Sequence, residues 1–122
     1  MPRVIYFEVS ADQPERAIRF YTKVFGWKIQ KWEGTDDYWM ISTGDDGQPG
    51  IDGGLVKRRN PADTIINTID VSSIDEFLNR ITNSGGQIAA PKFSIPGVGY
   101  FAYCRDPEGN TFSIMQYDET AQ

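Results

Sequence analysis

Apolar and polar positions along this chain of 122 residues follow two rhythms. Ala17, Phe20, Tyr21 and Val24 recur at i, i+3, i+4 and i+7, which predicts one apolar face of a helix. Ile74, Phe77, Leu78 and Ile81 repeat that spacing. Both stripes follow the same kind of start signal: Asp12-Gln13-Pro14-Glu15 and Ser73-Ile74-Asp75-Glu76 place a capping side chain three residues before a glutamate. Gly26 is expected to end the first helix and Gly85-Gly86 the second. The remaining apolar runs are short and read as strands: Val4 to Val9, Trp27 to Glu33, Asp37 to Thr43 and Gly54 to Lys57, then Thr64 to Val71, Gln87 to Ala90, Gly99 to Arg105 and Thr111 to Tyr117. Gly34-Thr35-Asp36-Asp37, Gly44-Asp45-Asp46-Gly47, Ile95-Pro96-Gly97 and Asp106-Pro107-Glu108-Gly109-Asn110 supply the turns.

Glu15 and Glu76 stand 61 residues apart, half the chain, and each half reads βαβββ. The halves cover residues 1–60 and 61–122, joined at Asn60-Pro61-Ala62-Asp63. About 60 residues bury too little surface to be comfortable alone. The expectation is therefore one α+β domain over residues 1–122, with helices outside and a curved sheet surface within. Side chains alternate between the faces of a strand. With Ile5, Phe7 and Val9 toward a helix, Tyr6 and Glu8 take the other face; with Ile69, Val71, Phe112 and Ile114 toward a helix, Ile66, Thr68, Asp70, Thr111, Ser113 and Met115 do so. That mixture is too polar for a second core and too apolar for open solvent, and predicts a cleft.

Charge narrows the partners. Lys and Arg number 12 against 17 Asp and Glu, a formal net charge of -5. The acidic balance argues against nucleic acid, since Lys57-Arg58-Arg59, the one basic cluster, reads as a solvated loop. No apolar run reaches the ~20 residues that span a bilayer, so no membrane partner is expected. A single cysteine, Cys104, fits a soluble, cytoplasmic, reduced protein. Histidine is absent, which removes imidazole bases, Ser-His and Cys-His pairs and every His-containing zinc site.

Phe7-Glu8-Val9, Asp12-Gln13-Pro14-Glu15-Arg16-Ala17 with Phe20-Tyr21, and Val24-Phe25-Gly26-Trp27 resemble the opening of glyoxalase / bleomycin-resistance / extradiol-dioxygenase proteins, the vicinal oxygen chelate superfamily. Gly85-Gly86, Pro96-Gly97-Val98-Gly99-Tyr100-Phe101 and Asp106-Pro107-Glu108-Gly109-Asn110 resemble its second half, so the likeness covers nearly the whole chain. It implies a glyoxalase-like fold, two βαβββ modules in tandem forming a cup-shaped mixed sheet. It also implies pairing as a homodimer. In the family's enzymes the cup holds one divalent metal that binds vicinal substrate oxygens; other members hold an intact ligand and perform no chemistry. Carried over by position, the first-strand metal ligand becomes Tyr6, the ligand opening the second module becomes Ile66, and the last-strand glutamate becomes Ser113. The fourth falls near Gly53-Gly54-Leu55 with no register to assign it. Hydroxyls and an isoleucine do not make a hard-cation site, so no metal and no cofactor are expected.

The candidates follow. Glu8, a mid-strand carboxylate beside Tyr6, is the candidate catalytic base. Tyr6, Glu8, Trp39, Thr68, Tyr100, Ser113 and Met115 are the candidate ligand contacts; Trp39 and Tyr100 enter as aromatic walls 61 residues apart. The favoured expectation is a small organic molecule bound without the usual metal. The alternatives are a lyase, isomerase or dioxygenase-like enzyme with a non-standard site, and an interaction module whose cup is filled by its own side chains.

Overall fold

The computed structural model describes residues 1–34 and 37–122. The turn expected at Gly34-Thr35-Asp36-Asp37 falls partly outside them. In chain order the elements are β1 (Val4–Ala11), α1 (Pro14–Phe25), β2 (Lys28–Lys31), β3 (Tyr38–Ser42), β4 (Gly53–Lys57), β5 (Ile65–Asp70), α2 (Ile74–Asn83), β6 (Gln87–Ile95), β7 (Gly99–Arg105) and β8 (Thr111–Tyr117). This is the α+β order βαβββ-βαβββ. Two compact units divide the chain, Tyr6–Ile66 and Asn67–Gln122, the latter including Met1–Ile5.

In the first unit the strands run β2-β3-β4-β1. β1 pairs parallel with β4, placing Glu8 beside Gly54 and Val9 beside Leu55, while β3 is antiparallel to both β4 and β2. Its core is Ala11, Ile41 and Leu55, packed by Phe7, Ala17, Ile18, Trp27, Ile29 and Trp39. Leu55 is fully buried, and truncating such a side chain costs about 2–5 kcal/mol. Tyr21 stacks on Trp27 with ring centroids 5.0 Å apart, tying the end of α1 to the strand that follows.

α1 departs from expectation at its start and along its face. Asp12 does not cap it: the N-cap is Gln13, whose side chain makes no capping bond, and the Asp12 carboxylate instead accepts from Arg58 Nε at 2.9 Å. Pro14, with its preset φ and no N–H to satisfy, opens the helix. Gly26 closes it at φ 71°, its N–H donating to the Thr22 carbonyl. Phe20 and Val24, expected on the packed face, are 55% and 54% exposed. The apolar arc of α1 is wider than the strip that touches the sheet, and Ala17 and Ile18 take the contact.

In the second unit the strands run β5-β8-β7-β6, with β5 parallel to β8 and the others antiparallel. Val71, Ile74, Ala102 and Ile114 form the core under Phe77, Leu78 and Ile81 of α2. Here the capping signal holds: Ser73 Oγ accepts from the Glu76 N–H at 3.3 Å. β6 runs on to Ile95, past the expected end at Ala90. Pro91 is accommodated because β6 lies at the end of this strand order and carries two register shifts, between Ile88 and Ala90 and between Ala90 and Phe93. The β7–β8 turn is held by Asp106, whose Oδ1 accepts the N–H groups of Glu108 and Asn110.

Candidate functional site

In the first unit, strand parity separates two faces. Phe7, Trp39, Ile41 and Leu55 pack beneath α1, and Tyr6, Glu8, Met40 and Gly54 lie on the opposite face. The Tyr6 and Tyr38 hydroxyls hydrogen-bond to each other there. Gly54 lies directly under both: a Cβ at this position would collide with the Tyr38 hydroxyl and come within 2.7 Å of that of Tyr6. Glu8, paired with Gly54 across the ladder, is 9% exposed. Beside Tyr6 a cavity of about 350 Å³ opens, lined by Lys28, Gln30, Met40, Ser42 and Asp52. Asp52 accepts from the Thr43 N–H at 2.9 Å, which fixes the carboxylate at the cavity edge.

In the second unit the polar face is closed. Thr68 and Ser113 are opposite one another on β5 and β8 and hydrogen-bond through their hydroxyls at 2.8 Å, both buried. Met115 shares the face and is 7% exposed. Asp70 is committed elsewhere, accepting from the Arg3 N–H at 2.8 Å. The register sets Thr68 opposite Ser113, and Ile66, two residues earlier on β5, is buried.

Trp39 and Tyr100 do not reach either polar face. Each stands on the third strand of its unit and packs against the helix-side core, Trp39 with Leu55 and Ile41, Tyr100 with Ile114 and Ala102. Their 61-residue spacing does mark equivalent positions, but on the side of the sheet away from Tyr6 and Ser113. The aromatics that do share a face with Ser113 and Met115 are Phe101 and Tyr103, and Phe93 joins them. Phe101 lies 5.2 Å from Tyr103 and 5.6 Å from Phe93, ring centre to ring centre. Alternation along β7 finds the first two; Phe93 lies beyond Ala90, the expected end of β6. Tyr38 lies within the strand expected from Asp37 to Thr43 and is not among the candidate contacts.

The donor chemistry can now be set against a divalent ion. At the expected ligand positions stand a phenol bonded to a phenol and an alcohol bonded to an alcohol. Among the described residues no group of three His, Cys, Asp or Glu side chains could hold a metal. Hard cations need several carboxylate or imidazole donors, and these residues do not fit one.

The sequence family described as the Glyoxalase/Bleomycin resistance protein/Dioxygenase superfamily matches residues 3–114. A glyoxylase-like domain-containing protein of Didymella fabae is 32% identical over 114 residues, 88% of each chain. A Mycobacterium tuberculosis protein provisionally named glyoxylase CFP32 is 29% identical over 119 residues, covering 93% of this chain; the chain spans 43% of that relative's length. Among solved structures, a superfamily member from Vibrio splendidus superposes with a TM-score of 0.66 at 16% identity, covering 95% of this chain and 99% of that one. Streptomyces coelicolor methylmalonyl-CoA epimerase superposes with a TM-score of 0.70 at 10% identity, covering 100% and 99%. At these identities the structures speak for the fold alone.

Proposed function

Since the chain belongs to the glyoxalase/bleomycin-resistance/dioxygenase superfamily, we propose that it binds a small organic molecule against the Tyr6 face of the first unit and does so without the divalent ion of the family's enzymes. The observation that carries this reading is the pair of hydroxyl–hydroxyl bonds, Tyr6 with Tyr38 and Thr68 with Ser113, in which Tyr6 and Ser113 are positions to which the family's metal ligands carry over. Hydroxyls are neutral donors and acceptors and supply no charge of their own to balance a cation. The cavity beside Tyr6 offers what an organic ligand needs: a thioether wall at Met40, an amide at Gln30 and a phenol at its edge. Glu8, buried on the same strand face, is the group that would accept a proton were the bound molecule also transformed. The reading keeps the expected homodimer and the absence of cofactor.

The test is native mass spectrometry with elemental analysis of untagged protein, followed by thermal unfolding with and without chelator. We expect dimer mass, no stoichiometric metal, an unchanged Tm on chelation, and a Tm that rises with a bound organic ligand by mass action. One equivalent of metal per chain, with a Tm that falls when it is stripped, would overturn the proposal in favour of a metal-dependent lyase, isomerase or dioxygenase-like enzyme.

A further inference from the structure

Charge is segregated along this acidic chain. From Arg16 to Trp32 there are five basic residues, Arg16, Arg19, Lys23, Lys28 and Lys31, and no acidic one, although Asp and Glu outnumber Lys and Arg by 17 to 12 overall. Three of the five stand on α1. At 100° per residue, Arg16, Lys23 and Arg19 occupy the outward side of the helix, and Phe20 and Val24 lie along its border with the packed side. Among the described residues none of these three cations is in an ion pair, whereas Arg58, Arg80, Lys92 and Lys31 each are. Phe20, Val24 and Phe25 are all more than half exposed, and Phe20 meets Phe25 edge to face with ring centres 6.5 Å apart; α1 packs through Ala17, Ile18, Tyr21 and Phe25, the last two against Trp27.

Phe20 borders a groove of about 420 Å³ between α1 and the end of β1, lined also by Tyr21, Ala17, Val9 and Ala11, with Arg16 and the Arg58–Asp12 ion pair among its polar lining. Its far wall is rigid: Arg58 is held by the Asp12 carboxylate and by the carbonyls of Ser10 and Asp63. An apolar groove suits an apolar side chain inserted from outside, and Arg16, Arg19 and Lys23 beside it suit carboxylates on either side of that anchor.

The geometry points to α1 as a docking surface for an acidic protein segment carrying an apolar anchor, the anchor in the groove beside Phe20 and the carboxylates on Arg16, Arg19 and Lys23. A second copy meeting this face symmetrically is disfavoured, because an isologous contact would set the three cations against themselves. An anionic bilayer is disfavoured too, because the net charge of -5 opposes the approach of the whole chain to an anionic surface.

The inference is independent of the proposed ligand site and is tested on the intact chain. A fluorescein-labelled synthetic peptide rich in Asp and Glu with a central pair of leucines is titrated by anisotropy and mapped by amide chemical shifts. Parallel arms use the same peptide with serines for leucines, and vesicles of phosphatidylcholine and phosphatidylglycerol. We expect salt-sensitive binding that perturbs α1, needs the leucines, and falls about tenfold or more in the Arg19→Glu/Lys23→Glu variant, both positions being solvent-facing. Phe20→Ser should weaken it without altering the shifts of the sheet. Absence of peptide binding, shifts confined to regions other than α1, or affinity indifferent to charge reversal would each overturn the proposal. So would vesicle binding, or self-association in sedimentation, that charge reversal abolishes while the peptide stays unbound.

Discussion

Gly54 shows how one missing side chain shapes the first unit. Its backbone is buried within β4, and only the absence of a Cβ lets the two phenol oxygens of Tyr6 and Tyr38 settle over it and meet. Gly54→Ala should therefore push the pair apart and cost about 1–3 kcal/mol, as overpacking does at a closed position. Urea unfolding reads the loss, and near-UV circular dichroism reads the tyrosines. Adding Tyr38→Phe, which removes the hydroxyl nearest the new methyl, should recover part of that cost, so the two changes would be non-additive. Additive costs would show that the pair does not rest on Gly54. At the same scale, Tyr6 and Ser113 were legible as positions but not as chemistry. A hydroxyl's role depends on which other hydroxyl it meets, and Tyr38 and Thr68 come from different strands.

Two helices that share a sequence signature do not share a cap. At α2, Ser73 holds the Glu76 N–H, while at α1 the carboxylate expected to cap is drawn off to Arg58. Ser73→Ala should destabilise the fold by about 1 kcal/mol. Asp12→Ala removes only an exposed ion-pair partner and should cost less, within about 0–1 kcal/mol. Paired denaturant titrations give the ordering, and an equal or larger loss at Asp12 would mean that it caps α1 after all. The difference was not readable from spacing, because the competitor, Arg58, stands 46 residues away in sequence. Element boundaries were otherwise recovered closely, with every strand found; β6 ran past its expected end because a proline is tolerated where register shifts already interrupt the ladder.

At the scale of the whole molecule, Asp106, Asp118 and Cys104 tie stability to pH. Asp106 is held below the usual carboxylate range chiefly by the Asn110 N–H, and Asp118 chiefly by the Thr120 hydroxyl. Both favour the fold above the pKa of the unfolded carboxyl, and that contribution is lost as pH falls through their lowered values. Cys104 is fully buried and its thiol is pushed up by desolvation. It favours the fold below the unfolded thiol's pKa and ceases to as pH rises through its own. The urea midpoint should thus stay level through neutral pH and decline below about pH 4 and above about pH 9. A midpoint that climbs above pH 9 would contradict the assignment for Cys104.

Periodicity and internal repetition determined the element order, the α+β class and the two-module plan, because helix and strand each impose a fixed spacing on apolar residues, and a 61-residue offset repeats it. Composition settled that imidazole chemistry is absent. Tertiary structure alone decided that Trp39 and Tyr100 turn toward the helices, that Thr68 is the partner of Ser113, and that Phe20 and Val24 stay outside. These are questions of register and of which part of a wide apolar arc is covered. Both are set by contacts between residues far apart in the chain, which no local pattern encodes.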